Sequence, residues 1–157
     1  PRLGYGEDTH RLVAGRPLVL GGVTIPFHLG LLGHSDADAL AHAAMDAMLG
    51  ACALGDIGKL FPDTDPQYAG ICSLTLLTQV LRRTLAQGYA LSNLDATIVA
   101  QQPKLAPHIP AMRAKLAAAM ACGQERISIK ATTPEGCGPE GALESITVRC
   151  VCSMEAI

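Results

Sequence analysis

Apolar positions recur at two periods along this chain, and the switches between them lay out its elements. Residues 2–8 alternate and read as an opening strand. Residues 17–20 and 23–25, joined by Gly21-Gly22, read as a hairpin. Residues 36–50 change period: Leu40, Ala41, Ala44, Met45, Met48 and Leu49 recur at helical spacing. Ser35 is the expected N-cap, with Asp36 and Asp38 in the first turn, where the helix dipole favours anions. Residues 51–70 are irregular, broken by Gly55, Gly58, Pro62 and Pro66. A second amphipathic helix covers 73–87 and closes at Gly88; a third, rich in Ala and with Pro at its start, covers 110–120. Residues 93–100, 126–132 and 145–153 alternate again as strands. Strands interleaved with helices predict an α/β (α+β) fold, a mixed sheet covered on one face by helices. With no linker, repeat or low-complexity segment, 1–157 reads as a single domain.

Composition narrows the function classes. With 49% hydrophobic and 17% charged residues, the chain has the apolar content for a core and is not of the disordered type. Three Tyr, two Phe and no Trp are too few for stacking along single-stranded nucleic acid. Twelve basic against fourteen acidic residues provide no basic surface for a phosphate backbone. No apolar run reaches the length of a membrane span, and the N-terminus lacks signal-peptide architecture. Cys52, Cys72, Cys122, Cys137, Cys150 and Cys152 contain no CxxC, and Cys150 and Cys152 fall on one face of a strand. They are expected to be buried, reduced thiols, which favours a cytoplasmic location.

Four clusters could carry chemistry. In Gly4-Tyr5-Gly6-Glu7-Asp8-Thr9-His10, period two sends Asp8 and His10 to the same face. His42 comes one turn after Asp38 and one before Asp46, and all three fall on the polar stripe of the first helix. Asp8, His10 and His42 together suit a catalytic zinc with an open fourth position, or else form an ion pair beside a helix histidine. His34-Ser35 at the mouth of that helix is either a phosphate site or a plain cap. The segment from Gly55 through Asp56, Ile57, Gly58, Phe61, Pro62, Asp63, Thr64 and Asp65 to Pro66 is an active-site loop or a surface loop. It fits neither a calcium loop nor a GxxxxGK[ST] phosphate loop. Lys130-Ala131-Thr132-Thr133-Pro134-Glu135-Gly136 ends a strand in hydroxyls and a carboxylate, and Glu135 could hold a hard cation beside phosphates.

Taken in order, the G-x-G-x-D-x-H opening, His34-Ser35-Asp36-Ala37-Asp38 with His42, Gly55-Asp56-Ile57-Gly58, Phe61-Pro62-Asp63-Thr64-Asp65, Pro103-Lys104 and Lys130-Ala131-Thr132-Thr133 resemble the 2-C-methyl-D-erythritol 2,4-cyclodiphosphate synthase family nearly end to end. The resemblance implies a homotrimer around a threefold axis, with active sites between subunits. It implies cyclisation of 4-diphosphocytidyl-2-C-methyl-D-erythritol 2-phosphate with release of CMP, a phosphorus-oxygen lyase reaction of the non-mevalonate isoprenoid pathway. Asp8, His10 and His42 would hold one Zn²⁺ per chain, and Glu135 a second divalent ion, Mg²⁺ or Mn²⁺. His34, Ser35 and the segment from Phe61 to Asp65 would grip the methylerythritol phosphate. Thr9 would edge that site, while Asp56, Ile57 and Gly58 would face the ribose. Ala100, Gln101, Gln102, Pro103, Lys104, Leu105 and Ala106, with Ala131, Thr132, Thr133 and Pro134 of a neighbouring chain, would enclose cytosine and diphosphate. His34 and Thr133 would donate hydrogen bonds to charge developing at phosphorus.

After Glu135 the chain departs from the pattern: Pro139 replaces an aromatic and Ala142 an arginine. The resemblance therefore implies weakened binding of ancillary anions there, with the catalytic residues retained. Two alternatives remain on sequence grounds. A metal-dependent hydrolase would need a base such as Asp46, and a non-catalytic nucleotide-binding trimer would need a missing metal ligand.

Overall fold

In the computed structural model, which describes residues 1–157, five strands form the main sheet in the order β4-β1-β7-β5-β6. They are β1 (Arg2–Val13), β4 (Gly30–Leu31), β5 (Tyr89–Val99), β6 (Ile127–Thr132) and β7 (Ser145–Ala156). β1 and β5 both run antiparallel to β7, and β6 runs parallel to β5, so the sheet is mixed as expected. β2 (Leu18–Leu20) and β3 (Val23–Ile25) make the separate hairpin that Gly21-Gly22 predicts. The helices are α1 (Ala39–Ala51), α2 (Ile57–Leu60), α3 (Ser73–Ala86), α4 (Ile109–Ala119) and α5 (Gly138–Gly141).

One helix fixes the position of the site. α1 lies across β1, β7 and β5, and its Leu40, Met45, Met48 and Leu49 are fully buried in one core with Leu94, Ile98, Ile146 and Val148 of the sheet. Gly4 and Gly6 let the helix backbone settle directly on β1. A Cβ at Gly4 would stand 1.7 Å from the Ala47 carbonyl oxygen, and one at Gly6 would stand 2.0 Å from that of Ala43. Small residues on the strand and small residues on the helix (Ala43, Ala47, Ala51) therefore set a very close approach of helix to strand. Two residues further along the same face of β1, the contact opens and the helix presents His42 to Asp8. The opposite face of β1 and β7 leaves Leu3, Tyr5 and Val151 exposed.

Several expectations are corrected. α1 begins at Ala39 rather than at residue 36, and its cap is Asp38, whose Oδ1 accepts from the Ala41 N–H at 3.0 Å. Ser35 instead accepts from the Ala37 N–H at 3.2 Å, and Ala37 itself stands at φ 57°, which no helix permits. Asp38 does not share the polar stripe of α1; it is fully buried and accepts from the Gly21 and Gly22 N–H groups at 2.9 and 2.7 Å, pinning the hairpin to the helix. β1 and β7 outrun their patterns, to Val13 and Ala156, and β5 already begins at Tyr89, its first residues put out of phase by a register shift between Leu91 and Asn93. Cys52, Cys150 and Cys152 are buried, but Cys72 and Cys137 are exposed and Cys122 is half-buried; all six are unpaired. No helix is long and apolar enough to cross a membrane.

Candidate active site

Asp8 and His10 leave β1 on the α1 side, and His42 comes down from α1 to meet them. Asp8 Oδ2 lies 2.8 Å from His10 Nε2 and 3.1 Å from His42 Nδ1, and the two ring nitrogens are 3.2 Å apart. These three ligand atoms make a nearly regular triangle. Tetrahedral zinc with ligands at about 2.0–2.1 Å requires ligand atoms roughly 3.3 Å apart, so the triangle fits that ion with little adjustment. His10 is aimed from behind: its Nδ1–H donates to the Leu32 carbonyl at 2.8 Å, which leaves Nε2 as the free ligand. Gly33 makes room for that ring, since a Cβ there would stand 3.1 Å from His10 Cε1. His42 is buried, with Nε2 at 2.9 Å from Ser73 Oγ.

The electrostatics agree with a cation site. Burial pushes the Asp8 carboxyl upward, but hydrogen bonds and charge from His10 and His42 outweigh it and hold the group at about 2. Burial likewise works against a charged His10, yet the Asp8 carboxylate wins and raises it. Asp8 thus keeps its negative charge and draws positive charge to itself.

Above the triad opens a cavity of about 500 Å³ lined by Gly33, His34, Ser35, Ile57, Gly58, Phe61, Pro62, Asp63, Tyr68 and Leu76 as well as the three ligands. Residues 33–35 reach it because Arg16 clasps their segment, donating from Nε to Leu31 O at 2.9 Å and from Nη2 to Ser35 O at 3.0 Å. His34 ties the cavity wall to the loop, its Nε2–H donating to Asp65 O at 2.7 Å. The segment expected to be irregular holds the short helix α2. Asp56 caps it by accepting from the Lys59 N–H at 3.1 Å, and Asp46 of α1 accepts from the Ile57 N–H at 2.9 Å. One oxygen of Asp46, the sequence's hydrolytic-base candidate, is therefore spent on holding that turn. Asp65 caps the next turn through the Gln67 N–H at 3.0 Å.

The remaining candidates gather elsewhere. Ala100 to Ala106 and Ala131 to Thr133 line a second cavity of about 300 Å³. Asp8, Val148, Ile98 and Ala131 stand in one row across the sheet. The two cavities therefore sit at the same end of the sheet but three strands apart, about 14 Å at the usual spacing. Glu135 belongs to the second group: it accepts from the Thr133 hydroxyl at 3.3 Å, and the neighbouring Gly136 N–H donates to Gln101 Oε1 at 2.8 Å. Thr9 turns away from the triad and pairs its hydroxyl with Thr147 at 2.7 Å on the opposite face of the sheet. Pro139 sits without strain at the start of α5, while Ala142 is exposed. Ser73, Arg16 and Leu32 were missed as parts of the site. Ser73 and Arg16 carried a faint signal as polar residues at a helix start and a strand entry, but a carbonyl such as that of Leu32 carries none.

Comparison with known proteins gives this geometry its family. The YgbB family profile matches residues 1–155. The chain is 58% identical over 154 residues to 2-C-methyl-D-erythritol 2,4-cyclodiphosphate synthase of Geobacter sulfurreducens, covering 98% of each. It superposes on a solved 2C-methyl-D-erythritol-2,4-cyclodiphosphate synthase with CDP bound at a TM-score of 0.90 and 43% identity, covering 98% of this chain and all of that one. It also superposes on the bifunctional IspDF of Campylobacter jejuni at a TM-score of 0.96 and 40% identity, matching 99% of this chain and 42% of that longer one. The chain belongs to the YgbB family, that of the 2-C-methyl-D-erythritol 2,4-cyclodiphosphate synthases.

Proposed function

We propose that the protein converts 4-diphosphocytidyl-2-C-methyl-D-erythritol 2-phosphate to 2-C-methyl-D-erythritol 2,4-cyclodiphosphate and CMP. The observation that carries this reading is the convergence of Asp8, His10 and His42 at the floor of a cavity walled by His34, Ser35 and the 57–63 segment. In the reaction an oxygen of the substrate's own 2-phosphate attacks the β-phosphorus. The bond from that phosphorus to the bridging oxygen breaks, and CMP leaves with the bridging oxygen. The nucleophile is already anionic, so no enzymic base is required, and the hydrolytic alternative loses its main attraction. The difficulty is bringing one polyanion onto another in line.

Asp8, His10 and His42 would hold Zn²⁺, and Glu135 a second divalent ion, Mg²⁺ or Mn²⁺. When bound, such ions would supply charge neutralisation and Lewis-acid polarisation at the diphosphate. The chain's own groups do the rest. Ser35 and the Phe61–Asp65 stretch hold the methylerythritol phosphate end, and Asp56 to Gly58 face the ribose. His34, whose other ring nitrogen makes no protein hydrogen bond, and the exposed Thr133 hydroxyl are assigned to the charge that grows on phosphorus.

The two cavities are separate on one chain, three strands apart, and neither alone offers both the triad and the 100–106 wall. We therefore assign the cytidine half of each site to residues 100–106 and 131–135 of a neighbouring subunit in a homotrimer. The exposed Leu3, Tyr5 and Val151 face supports burial against other copies. Six unpaired cysteines support a reducing, cytoplasmic setting. The test is CMP release from the named substrate with and without a chelator. Release that stops on chelation and returns with zinc supports the reading, and release indifferent to metal overturns it.

A further inference from the structure

We propose that Ser73, gripped by Asp36, is a positioning residue that fixes the imidazole proton of His42 on Nε2 and so presents Nδ1 to the metal as a bare lone pair. The inference rests on the metal reading above and extends it to two residues that touch neither substrate nor ion. The argument is one of donors and acceptors. A carboxylate only accepts, and Asp36 accepts three times: from the Ser73 N–H on Oδ2 at 3.0 Å, and on Oδ1 from the Ser73 hydroxyl at 2.5 Å and the Asp38 N–H at 3.1 Å. The one hydroxyl proton of Ser73 is thereby committed to Asp36. What its Oγ turns toward His42 Nε2, at 2.9 Å, is a lone pair, so Nε2 must carry the proton. Ser35 Oγ, at 3.3 Å, offers Nε2 a longer second contact.

With the Nε2 proton held by Ser73, Nδ1 is the nitrogen left to face Asp8 Oδ2, at 3.1 Å, and to give its lone pair to a metal there. His10 is set the other way round, its Nδ1–H spent on Leu32 O and its Nε2 turned to Asp8 Oδ2 at 2.8 Å. The two histidines thus reach the same point with different nitrogens, each dictated by the acceptor behind it. Ser73 is fully buried, so no water competes for the arrangement. Ser73 opens α3 and Asp36 precedes α1, so the relay also locks the start of one helix to the ligand borne by the other.

Three measurements decide the matter. Long-range ¹⁵N–¹H correlation on the metal-free parent protein should show His42 Nε2 protonated, whether or not Nδ1 also shares a proton with Asp8 Oδ2 at 3.1 Å; an unprotonated Nε2 overturns the proposal, whatever any variant does. Competition with a chromophoric chelator should show zinc binding about 10- to 100-fold weaker in Ser73→Ala. Asp36→Ala, which removes the acceptor that holds the Ser73 hydroxyl proton, should weaken zinc comparably. Zinc affinity within twofold of the parent in both folded variants overturns the proposal. A parent protein that binds no zinc would instead overturn the metal reading, and the position of the His42 proton would still decide the role of Ser73.

Discussion

Replacing Gly6 by Ala adds one methyl group outside the cavity lining, yet it should disable the site. The new Cβ would stand 2.0 Å from Ala43 O and 2.7 Å from Ala47 N, both helix backbone atoms that cannot rotate away. Non-bonded Cβ atoms essentially never come within 3.0 Å, so α1 must lift from β1 by about 1 Å. Overpacking of that kind costs roughly 1–3 kcal/mol, which a domain with this core survives. The triad does not survive it as well. Its 2.8 Å edge lies within β1, but the edges of 3.1 and 3.2 Å join His42 of the helix to the strand, so the lift falls directly on the two contacts of His42. Misplacement by about 1 Å is worth on the order of 100-fold in rate. Gly6→Ala should therefore unfold at modestly lower denaturant while zinc affinity and CMP release fall steeply. Denaturant melts, chelator competition and turnover on the same preparation check this. A variant with parental zinc affinity and turnover would refute the idea that strand–helix contact at Gly6 sets the ligand geometry.

Other expectations follow from separate parts of the molecule. Asp38→Ala leaves the buried N–H of Gly21 and the cap N–H of Ala41 without their acceptor, so stability measured by denaturant should drop by about 2–5 kcal/mol. Burial pushes the thiols of Cys52, Cys150 and Cys152 up, that of Cys152 to about 11, so at pH 8 a disulfide reagent should modify these three only after unfolding. Glu135→Gln should cut CMP release while elemental analysis still finds zinc near the parental content, because Glu135 lies across the sheet from the triad; loss of zinc would contradict that division. Mixing inactive His42→Ala chains with inactive chains altered at Lys104 should restore some activity in mixed trimers. No recovery despite proven subunit exchange would argue against shared sites.

What the sequence revealed and what it hid follow physical lines. Asp8 and His10 were legible together because a strand's period of two is rigid, and His42 because the family motif names it. The site's supporting groups were not legible, since they act across the fold: Ser73 lies 31 residues from His42, and Leu32 contributes only a carbonyl. The start of α1 was misplaced because three polar residues compete for one cap. The winner, Asp38, is decided by the hairpin glycines it also binds, a tertiary fact. The early part of β5 was hidden by the register shift at Leu91/Asn93, which turns a regular alternation out of phase. The role of Gly4 and Gly6 as the seat of a helix needed the helix to be seen.

Phosphorus NMR of the products formed from 4-diphosphocytidyl-2-C-methyl-D-erythritol 2-phosphate tests the central claim most directly. The zinc-loaded protein should give equal amounts of CMP and a cyclic diphosphate whose two phosphorus atoms couple to each other, and His42→Ala should give neither. Linear phosphate products from the parent protein, or a cyclic product undiminished in His42→Ala, would contradict cyclisation at the Asp8-His10-His42 centre.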